Sequence, residues 1–425
     1  MQQLNLTLKN GQSVFSWCPN IEESALNQVE ELAKLPFVEH IAIMPDSHKG
    51  ELAPIGSVIA TKNEILPFAV GTDCGCGMGA FKTNLNKSEF NDNNKKTVHH
   101  SIVRTIPFGF NHNSNKRQEE IELRFNDKID DLREEYCDDL RDGNFPDLIT
   151  REAIVSQLGT LGGGNHFIEI QYDTEDSIWI MVHSGSRNFG TKFYEHYDKI
   201  ATELCQKWHS SSSVPFLPAD SKEGKSYLAV MNVLLDFAYL NRQIMIEDVI
   251  KNMLHYFPHI KNAEMNFDGA TREFQYGKLI NIHHNYASLE SHMGKNLWIH
   301  RKGAVLARKG VLGIIPGSQS TNSFITIGNG NNLSLNSSSH GSGRKMGRKE
   351  FNVSQQHRVK EIELEMESKG IMYSKFQKSS RGRDEGMYDI SESGDAYKDV
   401  ISVMKEQEDL VTPLVKLSPL INWKG

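Results

Sequence analysis

Five short glycine-flanked segments carry the side chains of this chain best suited to bind a metal or to react: GTDCGCGM, LGGGNHFIEI, VHSGSRNFG, NIHHNYA and SSSHGSGR. They hold Asp73 and Cys76, His166, His183, the pair His283 and His284, and His340. The segments are spread from residue 71 to residue 344, so a site that uses all of them has to be assembled by the whole fold. A local zinc finger cannot supply it. Glycine on both sides of a polar side chain lets the backbone bend sharply and approach a ligand closely. Arg187 and Arg344 follow two of the histidines at short range, and arginine suits bidentate phosphate contact. Metal ligands beside phosphate-binding loops point to phosphoryl or nucleotidyl chemistry.

Each segment also has a plainer reading. Asp73 and Cys76, three apart, can reach one metal or two adjacent ones, or they form a glycine-rich turn around a buried cysteine. His166 can be a core histidine at a strand start. Asn165 beside it weighs against that, because two adjacent polar side chains ahead of an apolar strand are costly unless they bind something. His183 ends the apolar run IWIMV and opens HSGSR, as a ligand beside an anion pocket would. His283 and His284 are adjacent, so on a strand they point to opposite faces and at most one enters a shared site. The loop around His340 is rich in backbone N–H donors that can cradle phosphate. His340 itself can be a ligand, a general acid, or a nucleophile that becomes phosphorylated or nucleotidylated. PGSQSTNS at 316–323 offers a second set of small hydroxyl donors. A serine-rich surface loop is the plainer alternative for both.

The elements that must position these residues read unevenly. HIAIMP and IGSVIAT predict strands, SALNQVEELAKL an amphipathic helix, and SIWIMVHSG a buried strand ending in a turn. Residues 86–118 read as a polar loop and 118–142 as a charged, solvated surface helix. Two or three helices are expected over 191–258, with an irregular stretch near 209–219. Strands and Gly/Asn turns return from 279 to 330. VSQQHRVKEIELEMES predicts a helix, and 376–395 a mobile polar loop. There is no internal repeat and no domain boundary, so the expectation is one domain over 1–425. The chain has 425 residues, 38% hydrophobic and 24% charged, enough for a large core, and no apolar run long enough to span a bilayer. MQQLNLTLKN has no positive segment followed by an apolar run, so no signal peptide is expected, and the odd cysteine count (Cys18, Cys74, Cys76, Cys137, Cys205) suits a reduced interior. A cytoplasmic location without membrane contact is therefore expected. A net charge of −7 excludes an indiscriminate nucleic-acid coat but leaves room for a local basic groove.

Taken together, MPDSHKG, GTDCGCGM, GTLGGGNHFIEI, VHSGSRNFG, HHN, HRKGA, PGSQSTNSF, SSSHGSGRKMGR, DAYKDV and the terminal WKG resemble, in order, the motif series of the RtcB RNA ligases, from about residue 41 to 424. The resemblance implies a layered α/β fold of α+β type, a single domain around a central metal cleft. The implied activity joins RNA 2′,3′-cyclic phosphate or 3′-phosphate ends to 5′-hydroxyl ends, in tRNA splicing or RNA repair. It would use GTP and two Mn²⁺ ions through a histidine–guanylate. Broken-ended RNA and GTP are the implied partners, and a monomer is expected. By motif, His340 is the nucleophile, and Asp73, Cys76, His166, His183 and His284 are the metal ligands, with Cys76 bridging. The nucleotide would be held by Asn165, His166, Phe167, Ile168 and Glu169, by His284 and Asn285, and by Pro316, Gly317, Ser318, Gln319 and Ser323. The loop His340, Gly341, Ser342 and Gly343, together with Tyr397 and Lys424, completes that set, with Tyr397 stacked on guanine. Asp46 and His48 would support the site, and Arg187 would contact an RNA phosphate.

The chain departs from the family pattern in three places. After His48 it reads KGELAP where the family has Trp-Gly-Tyr-Gly-Phe-Pro, Cys74 replaces a hydrophobic residue, and SESGDAYK replaces an acidic Ala-Pro segment. These changes bear on RNA preference more than on the chemistry. Two alternatives stand beside the ligase: a metal-dependent cyclic phosphoesterase, and a catalytically inactive module that binds RNA ends or guanine nucleotides.

Overall fold

The structure is a computed structural model and describes residues 1–134, 149–208, 214–260, 279–379 and 385–424. Two sheets organise it. The first has six strands in the order Gln2–Thr7, Ser13–Ser16, Val38–His48, Ile55–Thr61, Lys295–Lys302 and Asn285–His292. Ser13–Ser16 runs parallel to Val38–His48, which requires a crossover, and helix Glu23–Ala33 supplies it. That helix covers the expected SALNQVEELAKL segment and buries Ala25, Val29, Leu32 and Ala33.

The second sheet runs Ile280–His283, Gly77–Asn86, Ser177–Ser184, Phe167–Tyr172, Val411–Lys424, Ser323–Gly328 and Leu312–Ile315. Met372–Tyr373 pairs alongside Val411–Lys424 as its eighth strand. Helix Lys222–Leu254 lies against the second sheet and is apolar nearly all round, the mark of an interior helix. Its first half, with Val230, Leu234 and Phe237, joins a helical core with Phe189, Phe193 and Tyr197. Its second half, with Met245, Ile246 and Val249, packs on Ile168, Ile180 and Val182 of the sheet. The mixture of helices and mostly antiparallel sheets is the expected fold class.

Several expectations need correction. Residues 86–118 are not a loop: Asp92–Thr105 is a helix capped by the Asn91 side chain, and a second helix begins at Asn115. The apolar positions are sparse, but Val98, Ile102 and Ile106 recur every four residues and are buried together. The charged helix spans Asn115–Glu134, with Ile121, Phe125 and Ile129 in the core; the rest of the expected 118–142 span lies outside the described residues. Within 191–258 two helices stand among the described residues, Asn188–Lys207 and Lys222–Leu254. Part of the irregular stretch, 209–213, also lies outside them. The helix after Asn352 is in fact two, Arg348–Gln355 and Val359–Ser368, separated by one tight turn. The segment expected to be a mobile loop is pinned where it is described: Ser379 N–H donates to Met387 O at 2.8 Å and Asp389 N–H to Gln377 O at 2.8 Å. Among the described residues no helix is long and apolar enough to cross a membrane.

Candidate active site

Strand register brings the candidate ligands to one level at the end of the second sheet. Gly77 pairs with both Ser184 and His283, and Phe167 pairs with His183. Cys76, His166 and His284 are each one residue from these pairs, so three strand ends and the GTDCGCG turn converge. The turn is tied in place by Cys76 N–H donating to Asp73 O at 3.0 Å and by His284 N–H donating to Cys76 O at 2.8 Å. Gly185 faces Asp73 so closely that a Cβ there would land on Asp73 Oδ1.

Cys76 Sγ lies 3.5 Å from His166 Nε2 and 3.3 Å from His183 Nε2. His183 Nε2 is 3.1 Å from His284 Nε2, and His166 Nε2 is 2.9 Å from Asp73 Oδ2. Two triads result, Cys76–His183–His284 and Asp73–Cys76–His166, and Cys76 belongs to both. His183 Nδ1 and His166 Nδ1 each lie 3.0 Å from a backbone carbonyl, those of Asn165 and Leu161. A carbonyl only accepts, so both rings carry their proton on Nδ1 and turn the Nε2 lone pair inward. The His166 lone pair then meets the Asp73 carboxylate, two acceptors in contact unless the ring takes a second proton or a cation lies between them. Burial pushes the Cys76 thiol well above its ordinary value, with Asp73 adding to the effect. Burial holds His183 and His284 well below theirs, so both are neutral. A sulfur that needs a cation to lose its proton, the imidazoles of His166, His183 and His284 and the Asp73 carboxylate form a donor set that suits divalent ions, with Cys76 common to both triads. His283, by contrast, turns to the other side, where Gly75 O and Arg242 meet its Nδ1 at 3.0 and 3.2 Å. The expectation that only one of the adjacent pair enters the site matches this arrangement.

His340 follows strand Ser337–Ser339, with its ring centroid 4.8 Å from that of His284. Its Nδ1 lies 2.7 Å from Oδ2 of the fully buried Asp46. The same oxygen accepts the backbone N–H groups of His340 and Gly341 at 3.2 and 3.3 Å. The contact is electrostatic, with no hydrogen bond to Nδ1, and a carboxylate this close to Nδ1 favours a proton there and the lone pair at Nε2. Asp46 can reach inward because the ladder between Val38–His48 and Ile55–Thr61 loses register between Ile43 and His48. Gly343, at φ +72°, presses on that segment, and a Cβ there would land on Asp46 O.

A cavity of about 360 Å³ opens over His340. Among the expected nucleotide residues, Asn165, Phe167, Glu169, Pro316, Gly317, Ser318, Gln319, Gly341, Ser342, Gly343, Tyr397 and Lys424 line it, with His48 and His183. His166 and His284 stand in the ligand cluster. Ile168 does not line the cavity: on a strand it points opposite to Phe167 and Glu169, into the core. Asn285 and Ser323 are also off the wall. Asn285 ties Asp73 O (3.1 Å) to Gly303 N–H (2.8 Å), and Ser323 Oγ accepts from Gly317 N–H and Gln171 Nε2, both at 3.1 Å. Arg187 is turned inward, donating to Thr160 Oγ1 at 2.9 Å and Gly109 O at 2.7 Å. Lys49 and Glu51 of the divergent first motif are exposed.

Four wall residues were not expected from the sequence: Ile55, Asn422, Arg348 and Glu392. Asn422 was readable, since it is two residues before Lys424 on the same strand face. Glu392 accepts from the Tyr397 hydroxyl and from Arg344 Nη1 at 3.2 Å, and it lies in the divergent SESGDAYK segment. Arg344 also covers one face of the Tyr397 ring, 4.9 Å from its centroid.

Glu169 gives a pH test. Burial pushes its carboxyl up to about 8, although the Asn422 and Gln171 amides donate to it. The native fold then holds a proton that the unfolded chain has lost above its ordinary value of 4.5. Native protein binds more protons between those values, so this group's contribution to stability falls as pH rises from about 4.5 to about 8. Glu169→Gln should flatten that part of the Tm–pH curve. Parallel curves for the two proteins would contradict a protonated Glu169.

A family model described as tRNA-splicing ligase RtcB matches residues 28–425. The RNA-splicing ligase RtcB of Escherichia coli K12 is 34% identical over 413 residues, covering 95% of both chains. The tRNA-splicing ligase RtcB of Nanoarchaeum equitans is 28% identical over 92% of this chain and 88% of its own. That of Thermococcus kodakarensis is 28% identical over 82% of each.

Proposed function

The chain belongs to the RtcB family and is an RNA ligase, and from that premise we propose that it joins RNA 2′,3′-cyclic phosphate or 3′-phosphate ends to 5′-hydroxyl ends with GTP and Mn²⁺, through a guanylate carried on His340. One observation carries this reading: a histidine with its Nδ1 2.7 Å from the buried Asp46 carboxylate stands beside two ligand triads that share Cys76, in the wall of a cavity of about 360 Å³. We read residues 1–425 as one catalytic domain acting as a monomer, in tRNA splicing or RNA repair.

Asp73, Cys76, His166, His183 and His284 would hold the two ions, which supply Lewis acidity to the phosphates bound there. Asp46 fixes the His340 tautomer and stabilises the ring as it gains positive charge. His340 Nε2 attacks the α-phosphorus of GTP, an N–P bond forms, and pyrophosphate leaves with its oxygen. An oxygen of the RNA 3′-phosphate attacks the same phosphorus and frees His340. The 5′-hydroxyl oxygen then attacks the RNA 3′-phosphorus and GMP departs. A cyclic phosphate must first be hydrolysed. The Ser318 turn, the 340–343 loop and Lys424 would orient the nucleotide, and Tyr397 would stand against its base.

The test is ligation with purified protein. RNA carrying a 3′-phosphate and a 5′-hydroxyl should be joined only with GTP and Mn²⁺, and chelation should stop it. RNA with a 3′-hydroxyl and 5′-phosphate should not react. A cyclic phosphate that opens without any joining would favour the phosphoesterase instead.

A further inference from the structure

Phe110 is 97% exposed, among the most exposed of the described large apolar side chains, yet its loop is firmly held. Leu161 N–H donates to Pro107 O at 2.9 Å, and Gly109 N–H donates to Gly162 O at 2.8 Å. Arg187 Nη2 donates to Gly109 O at 2.7 Å. The Phe108 ring meets Trp423 edge-on, with centroids 5.5 Å apart. All four ties run to segments that feed the cavity. Residues 161–164 lead into Asn165 and His166, Arg187 closes the turn after His183, and Trp423 precedes Lys424. The turn that carries Phe110 is therefore fixed to the three segments that carry Asn165 and His166, His183, and Lys424, with its ring left in solvent.

A loop this constrained could have folded its ring inward, where burial would have stabilised it. Instead, Gly109, at φ +62°, turns the chain so that the neighbouring ring projects outward. A single ring is too small for a protein-docking patch. It suffices for stacking on one nucleobase, which every base accepts through its π-face. The cation for the adjoining phosphate is at hand: Arg348 lies against Gly164, on the same glycine segment that holds Gly109, and lines the cavity.

We propose that Phe110 is a stacking platform for an unpaired RNA base flanking the end being joined, a specificity determinant at the rim of the ligation site. This rests on the RNA-ligase reading. It assigns Arg187 a positioning part, since its bond to Gly109 O fixes the turn. A platform of this kind favours ends whose flanking nucleotides are splayed out over ends held in a duplex.

The experiment compares wild type, Phe110→Ala and Phe110→Trp on two RNAs with the same broken ends. In one the nucleotides beside the break are unpaired; in the other they are base-paired across a splint. Guanylylation is followed in parallel with labelled GTP. With unpaired ends, Phe110→Ala should lower kcat/KM roughly 5- to 100-fold, while Phe110→Trp stays near wild type. Paired ends and guanylylation should be unaffected, and the salt dependence should keep its slope, because no phosphate contact is lost. Equal ligation of unpaired ends by wild type and Phe110→Ala overturns the proposal, as does an equal loss on both RNAs. Wild type that joins neither RNA overturns the ligase reading and this proposal together, a result distinct from either.

Discussion

His340→Ala should lose guanylylation and the joining of 3′-phosphate ends by more than about 10³-fold while remaining folded. The ring at position 340 lines the cavity with its Nδ1 2.7 Å from the Asp46 carboxylate, which favours the lone pair at Nε2. Removing it leaves Asp46 with its two backbone N–H donors at 3.2 and 3.3 Å, so the buried carboxylate is not stranded. The stability cost is then that of one lost contact, about 1–3 kcal/mol, visible as a modest drop in Tm. The loss should also be specific to one step. RNA already guanylated at its 3′-phosphate needs no nucleophile, so the variant should still join it. Guanylylation that persists in His340→Ala would remove this residue from the role, and failure to join pre-activated RNA would show that it serves more than the first step.

Cys76→Ser should be nearly as severe, through metal. Its sulfur belongs to both triads, 3.5 and 3.3 Å from His166 and His183 Nε2, so one substitution weakens two sites. A neutral hydroxyl in the same buried place offers neither the charge nor the softness of a thiolate. Affinity for divalent metal should fall by at least about 10- to 100-fold, and guanylylation at fixed Mn²⁺ should fall with it. Burial pushes the Cys76 thiol well above its ordinary value, so wild type should release a proton on binding metal at neutral pH and the variant should release fewer. Cys18→Ser and Cys205→Ser should leave metal and activity intact, since neither residue belongs to a triad. Unchanged metal stoichiometry and proton release in Cys76→Ser would rule out the bridging role.

The candidate ligands were legible because each is an unusual residue in an unusual place. A histidine ending the run IWIMV, or an Asp and a Cys among four glycines, has no cheap local explanation. What one sequence cannot show is register. Gly77 opposite both Ser184 and His283, and Phe167 opposite His183, turn separate loops into one site, and the two pairings of Gly77 each span more than a hundred residues. The terminal strand Val411–Lys424 was missed as an element for the same reason: its partners Phe167–Tyr172 and Ser323–Gly328 lie far upstream. The helix Asp92–Thr105 was missed because only a few apolar residues mark its face among Asn, Lys and His, and its order comes from packing on the rest of the fold. Residue roles blurred where a motif residue serves its neighbours. Asn285 and Ser323 hold loops, and Arg187 holds the turn that presents Phe110, each with at least one hydrogen-bond partner distant in sequence.

A chase experiment reads the proposed intermediate most directly. Wild-type protein is incubated with α-labelled GTP and Mn²⁺, freed of unbound nucleotide, and then given unlabelled RNA ending in a 3′-phosphate. The label should first be found on His340 in an acid-labile linkage, and should then pass to the RNA 3′ end at the rate at which the protein loses it. Protein that never takes up label yet still joins RNA, or label that stays on the protein while ligation proceeds, would contradict a guanylate carried by His340.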